Sequence, residues 1–219
     1  MVLEFYSKAE ELIRKEGRAV LLVVTVHKGS SPGRQGFHLL ATEGDMTGTI
    51  GGGIMEFKLV ELARSLLKVQ RFDPFIKIQH HKVEAAKNRS GMICSGEQMV
   101  AFFYIDRTDL EWMTLLQKEE CKHLIYAPQG IKVGLAKIDR PDFYYEGVEN
   151  WVFKMPVELK SKAYVIGGGH VGLALCQLIS NLNFEIHLLD NRPGLNTMLE
   201  NQYAHYKKVV DYEEIEKHI

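Results

Sequence analysis

Cysteine, tryptophan and proline are scarce in this chain, with 3, 2 and 6 of each among 219 residues. Cys94, Cys121 and Cys176 are widely separated, odd in number and form no C-x-x-C pair. That excludes a disulfide framework and a zinc knuckle, and free thiols of this kind fit a reducing cytoplasm. No stretch approaches the roughly 20 apolar residues of a membrane helix. The N-terminus carries Glu4 and Glu10 and lacks the apolar core of a signal peptide. An excess of one charge is missing too: 27 Lys+Arg stand against 28 Asp+Glu, a formal net charge of -1. Such a chain has no global field to gather nucleic acid or an anionic membrane. What is present, 46% hydrophobic and 25% charged residues, is the composition of an ordinary globular protein. The expectation is a cytoplasmic protein with neither nucleic acid nor membrane as partner.

The length lies between one large domain and two small ones. Phe5, Ala9, Leu12 and Ile13 fall at helical spacing, closed by Gly17. Residues 19–26, Ala-Val-Leu-Leu-Val-Val-Thr-Val, are too continuously apolar for a half-exposed strand and predict one buried on both faces. Residues 29–36 are rich in breakers and small side chains. A strand-turn-strand over 37–42 and 47–50 leads into Gly51, Gly52 and Gly53, followed by a helical pattern over 54–69. Further strands are expected at 75–79 and 99–105. Thr108 and Glu111 suggest a capping box for a helix reaching Glu120, ahead of short strands at 124–126 and 131–138.

Residues 140–160 lack clear periodicity and read as a surface linker, with at most one short strand at 151–153. The pattern then resets. A strand at 162–166 meets a glycine turn, a helix runs through Leu182, and a second strand at 185–189 ends at Asp190. A short connection over 193–201 precedes a third strand at 206–210. The expected fold class is α/β: a mixed α/β domain over 1–139, a linker over 140–160, and an incomplete Rossmann-like βαβ domain over 161–219. Ile219 falls inside the helix that should follow the third strand, which leaves the first strand an uncovered edge. A homo-oligomer packing its C-terminal halves together is therefore expected.

Gly167-x-Gly169-x-x-Gly172 follows a strand, opens an apolar helix and has Asp190 at the end of the next strand. In that context Gly167 permits a tight turn and Gly169 lets a pyrophosphate approach the backbone. Gly172 permits close packing, and Asp190 is placed to accept bonds from a ribose diol, favouring NAD over NADP. A second candidate site pairs loop 29–36 with Gly51, Gly52, Gly53 and Glu56. Ser30 and Arg34 offer a hydroxyl and a guanidinium fork suited to phosphate, while Glu56 offers an acceptor or base. Cys94, between Gly91 and Gly96, is a candidate nucleophile or soft-metal ligand acting as its thiolate. His80 and His81 are adjacent on a strand and point to opposite faces, a poor ligand pair.

Three segments together carry a family resemblance. Gly29-Ser30-Ser31-Pro32-Gly33-Arg34-Gln35-Gly36, Gly48-Thr49-Ile50-Gly51-Gly52-Gly53-Ile54-Met55-Glu56 and Cys94-Ser95-Gly96-Glu97 resemble the N-terminal domain of the XdhC/CoxI family, the xanthine dehydrogenase accessory factors. Val165-Ile166-Gly167-Gly168-Gly169-His170-Val171-Gly172 resembles the start of that family's C-terminal Rossmann domain. The family's usual Cys-Gly-Gly is Cys94-Ser95-Gly96 here, and Gly33 precedes Arg34 where a direct Pro-Arg is common. The resemblance implies binding of molybdenum cofactor and help in replacing a molybdenum oxo ligand by sulfide. It further implies delivery to a xanthine dehydrogenase-type apoenzyme, with sulfur supplied by a partner cysteine desulfurase. On this pattern Cys94 contacts the cofactor as a metal ligand, and Ser30, Gly51, Gly52, Gly53 and Glu56 line its site. The competing expectation, resting on the glycine turn and Asp190, is an NAD(P)-dependent oxidoreductase. A non-catalytic scaffold docking a dehydrogenase subunit is the third.

Overall fold

The continuous apolar run near the N-terminus becomes the centre of the larger unit. A computed structural model describes residues 2–69, 71–80, 96–118, 120–157, 161–182 and 184–219. The chain divides into two compact units, Met1–Glu158 and Leu159–Ile219.

In the first unit, α1 (Val2–Glu16) leads through Gly17 (φ +83) into β1 (Arg18–Lys28), then β2 (His38–Ala41) and β3 (Met46–Gly48). Helix α2 (Gly53–Val69), β4 (Phe75–His80) and β5 (Glu97–Asp106) complete the first antiparallel sheet, ordered β3-β2-β1-β5-β4. Strand β1 is buried without a break from Ala19 to Thr25, as the run of β-branched side chains predicts. Alternation sends Ala19, Leu21 and Val23 into one core and Val20, Leu22 and Val24 into another. The second core is closed by Met55, Leu59, Val60, Ala63 and Leu67 of α2. The first is closed by Tyr6, Ala9 and Ile13 of α1, by Trp112, Met113 and Leu116 of α3 (Leu110–Leu116), and by a second sheet.

That second sheet corrects the expected linker. Residues 140–160 contain β8 (Asp142–Gly147) and β9 (Asn150–Pro156), which join β6 (His123–Ala127) and β7 (Gly130–Gly134) in the order β7-β6-β9-β8. Trp151, Phe153 and Met155 alternate inward from β9 and are buried. Strand β8 is a mostly exposed edge, so it shows no apolar period. The expected capping box also moves. Asp106 and Asp109 make it on a 3₁₀ turn, Arg107–Asp109, and Thr108 instead gives its hydroxyl to Asp106 Oδ1 at 2.6 Å.

The second unit is a parallel sheet ordered β10-β11-β12, from β10 (Ser161–Ile166), β11 (Phe184–Asp190) and β12 (Tyr206–Val209). Helix α4 (His170–Ile179) connects the first two strands. The short connection expected over 193–201 contains α5 (Asn196–Glu200). Val165, Cys176, Ile186, Leu188 and Met198 form its core, and β10 is an edge, as expected.

Candidate functional site

At one end of the first sheet, β1 finishes, β3 finishes and β5 begins. The β1–β5 register slips between Val24 and Val26, leaving Thr25 as the bulged residue. A bulge bends and twists its strand, here where a loop must turn back. Loop 29–36 is held against the bent strand. Gln35 donates from its amide to His27 Nδ1 at 3.0 Å and from Nε2 to the Thr25 carbonyl at 2.9 Å. Gly36 donates to the Val24 carbonyl at 2.8 Å. Ser31 is buried, whereas Ser30 and Arg34 are exposed, with one Arg34 Nη1–H on the Ser31 carbonyl at 3.2 Å.

The second loop runs through Gly51, Gly52 and Gly53 at φ +126, +73 and +69, a left-handed succession that side chains resist. Glu56, in the first turn of α2, holds it. Its Oε2 accepts from the Thr49 hydroxyl at 2.6 Å, the Ile50 amide at 2.8 Å and the Gly52 amide at 3.0 Å. Sequence reasoning offered Glu56 as acceptor or base; the structure makes it the acceptor that shapes the loop.

The structure brings the two loops together. A β-carbon on Gly33 would strike the Ile50 carbonyl, and one on Gly51 would lie 2.9 Å from the carbonyl carbon of Pro32. Gln98, in β5, joins them: its Oε1 accepts from the Ser31 hydroxyl at 2.8 Å and its Nε2 donates to the Ile50 carbonyl at 2.8 Å. Its side chain is fully buried. Nothing in the motif reading singled out Gln98. The available signal was a glutamine opening an apolar strand, since a buried amide must find partners. Gly96 packs on the same loop, its β-carbon position 2.7 Å from the Ser31 amide nitrogen. Cys94 and Ser95 lie outside the described residues, as does His81.

In the second unit the glycine turn is built as its sequence implies. Gly167 has φ +106, and a β-carbon on Gly172 would strike the Gly167 carbonyl. Asp190, however, is committed inward. Its Oδ2 accepts from the Gly168 amide at 2.6 Å and Arg192 Nη2 at 2.8 Å. Its Oδ1 accepts from the Arg192 amide at 2.8 Å and Nε at 3.0 Å. Hydrogen bonds from Arg192 hold the carboxyl well below the usual carboxylate range against the opposing pull of burial. The space beside Gly169, expected to be open for a pyrophosphate, has the Arg192 guanidinium 3.7 Å from the β-carbon position. The Gly168 carbonyl takes the Thr197 hydroxyl at 2.5 Å, so this turn is pinned on both sides. Among the described residues no group of three His, Cys, Asp or Glu could hold a metal ion, and no helix is long and apolar enough to cross a membrane.

The XdhC and CoxI family matches residues 12–76, a segment that contains both N-terminal loops and Glu56. In structure the chain is similar to a crystal structure of a xanthine dehydrogenase from Bacillus halodurans. The two share 19% identity over 97% of this chain and 70% of that one, with a TM-score of 0.52. At that identity the likeness is one of fold. No curated protein matches the chain. The resemblance carried by the two N-terminal loop motifs is thus borne out: residues 12–76 match the XdhC and CoxI family.

Proposed function

We propose that this chain is an accessory factor that binds molybdenum cofactor, supports its sulfuration and delivers it to a xanthine dehydrogenase-type apoenzyme. One observation carries the reading: the family-matched segment contains two glycine-bearing loops, and the fold knits them into one surface at a single sheet end. The residues there fit such a group. A β-carbon on Gly52 would meet nothing within 4 Å, so a ligand has room beside the backbone. Exposed Ser30 and Arg34 present a hydroxyl and a guanidinium for the pterin's phosphate. Gly51, Gly52 and Gly53 would line the ring, with Glu56 keeping the loop in shape.

When bound, the cofactor supplies a molybdenum centre that takes soft sulfur ligands. By its place in the family pattern, Cys94 supplies the thiolate toward that metal. The sulfur donor in this reading is a partner cysteine desulfurase, and the activity is binding and hand-over in the cytoplasm rather than turnover. The test is reconstitution with molybdenum cofactor followed by mass spectrometry and metal analysis of what is retained. Retention of pterin and molybdenum at equal amounts is expected. Cys94→Ala should lower it strongly, while Cys176→Ala, in the second unit's core, should not. A wild-type protein that retains neither component sinks the proposal; equal retention by Cys94→Ala removes the cysteine from it.

A further inference from the structure

We infer that Gln98 is a positioning residue that makes the two loops one rigid cradle. This rests on the cofactor reading above only for what the cradle holds. The sheet order puts β2 between β1 and β3, and β5 on the far side of β1. Backbone pairing therefore does not join the loop after β1 to the loop after β3. Gln98 does so from the opposite side, with each end of its amide on a different loop. The two ends are not interchangeable. The Ile50 carbonyl brings only lone pairs and needs the amide N–H, which leaves the amide oxygen to accept from the Ser31 hydroxyl. Burial removes water as a substitute partner, so either bond, once lost, leaves a stranded polar group. The same amide fills the space beside Gly33, 2.5 Å from where a β-carbon would stand. Rotation of the side chain is blocked by the loops it joins.

The polarity of the clamp gives a test that simple packing does not pass. Gln98→Glu preserves size and the acceptor for Ser31, but an ionised carboxylate opposes the Ile50 carbonyl with no proton between them. Protonation restores a donor, and burial raises the pH at which that occurs. Ionisable groups near it are His27, its register partner on β1, whose Nδ1 is bound by Gln35, and Glu56, which holds the Ile50 amide. Glu97 precedes Gln98 on the chain, opposite Lys28. Wild type is therefore measured at every pH alongside the variant.

Amide hydrogen exchange of residues 29–36 and 49–53 is followed by mass spectrometry in the cofactor-free protein, with exchange of β1 as the measure of folding. Gln98→Met should speed exchange in both loops roughly tenfold or more at all pH, β1 remaining protected. Gln98→Glu should do so at pH 8 and return toward wild type on acidification. Pterin retention, from cofactor released by a denatured molybdenum hydroxylase, should follow the same order. Loops of Gln98→Met as protected as wild type, or loss in Gln98→Glu that is indifferent to pH, would overturn the clamp. Loops that loosen as expected in a protein that never retains pterin would leave the clamp standing and defeat the cofactor reading instead.

Discussion

A β-carbon on Gly51 would stand 2.5 Å from the amide nitrogen of Gly33. Two loops leaving strands that do not pair with each other thus meet backbone to backbone, and glycine is required at both positions for different reasons. Gly51 needs its φ of +126, and Gly33 needs the space taken by the Ile50 carbonyl and the Gln98 amide. The Ile50 carbonyl is backbone and the Gln98 amide is tied to Ser31 and Ile50, so the contact has little room to relax. Gly33→Ala is expected to lower stability by about 1–3 kcal/mol through overpacking. Gly52→Ala meets open space and should carry mainly the cost of its left-handed backbone, roughly 1–2 kcal/mol. Denaturant midpoints check both, and a Gly33→Ala protein as stable as wild type would mean the loops separate readily.

Tyr6, Tyr126 and His38 form a buried chain, with His38 Nε2 at 2.6 Å from the Tyr126 hydroxyl and that hydroxyl at 2.8 Å from Tyr6. All three side chains lie in the core between α1 and the two sheets. Burial pushes the His38 pKa down from 6.5 to about 4, against the Gly36 carbonyl, which favours the charged ring. The unfolded chain therefore takes up this proton first as pH falls. Stability should be full above about 6.5 and decline toward pH 4, by roughly 3 kcal/mol in all. Thermal melts between pH 7 and 4.5 measure the slope, and His38→Gln should flatten it while lowering the plateau. An unchanged slope in that variant would place the proton elsewhere.

The sequence announces β1, α2 and the glycine turn because their physics is local: a continuous β-branched run, a helical period, and glycines between strand and helix. The hairpin of β8 and β9 is hidden because one strand is an exposed edge and the other shows only Trp151, Phe153 and Met155 inward among breakers. The site divides in the same way. Ser30, Arg34 and the three glycines are visible as a loop pattern, and Glu56 as the acid opening a helix. Gln98 is not, because its role comes from two partners 67 and 48 residues away along the chain. The His38 chain is likewise assembled from α1, β2 and β6. Asp190 shows the converse: its position was legible, but the four donors that occupy it were not.

Helix α4 contains no Asp, Glu, Lys or Arg, yet Val171, Leu175 and Leu178 on it are 83%, 42% and 71% exposed. Leu182, just beyond, continues the stripe, and β10 beside it is a sheet edge. A second copy of the chain suits this face, because an isologous contact of α4 with itself opposes no like charges. Light scattering on a sizing column at low micromolar concentration should show a dimer. Leu178→Lys should shift it to monomer without changing the stability of the monomeric fold. A wild-type monomer under those conditions would end this expectation.

The Asp190–Arg192 pair changes the nucleotide expected at the glycine turn. A carboxylate that reads a ribose diol must offer free oxygen, and here the side chain has 0% exposure against 57% for Arg192. Among the described residues its two oxygens accept from Gly168 and Arg192 alone. The exposed member of the pair is the cation, standing beside Gly169. A diol-based preference for NAD(H) should therefore be missing, and any dinucleotide that binds should gain from a 2′-phosphate facing Arg192. Asp190→Ala should act as a structural change, releasing the Gly168 amide and lowering the stability of the second unit by about 1–3 kcal/mol. Arg192→Ala should reduce NADP(H) binding more than NAD(H) binding. Because the folded carboxyl titrates below its unfolded value, the pair's contribution is complete at neutral pH and is lost only as pH falls below about 4. That window lies under the one assigned to His38, so the two are separable in one titration. Calorimetry with both nucleotides decides the matter: a clear preference for NAD(H) that Asp190→Ala abolishes would show that the carboxylate leaves Arg192 and reaches the ribose.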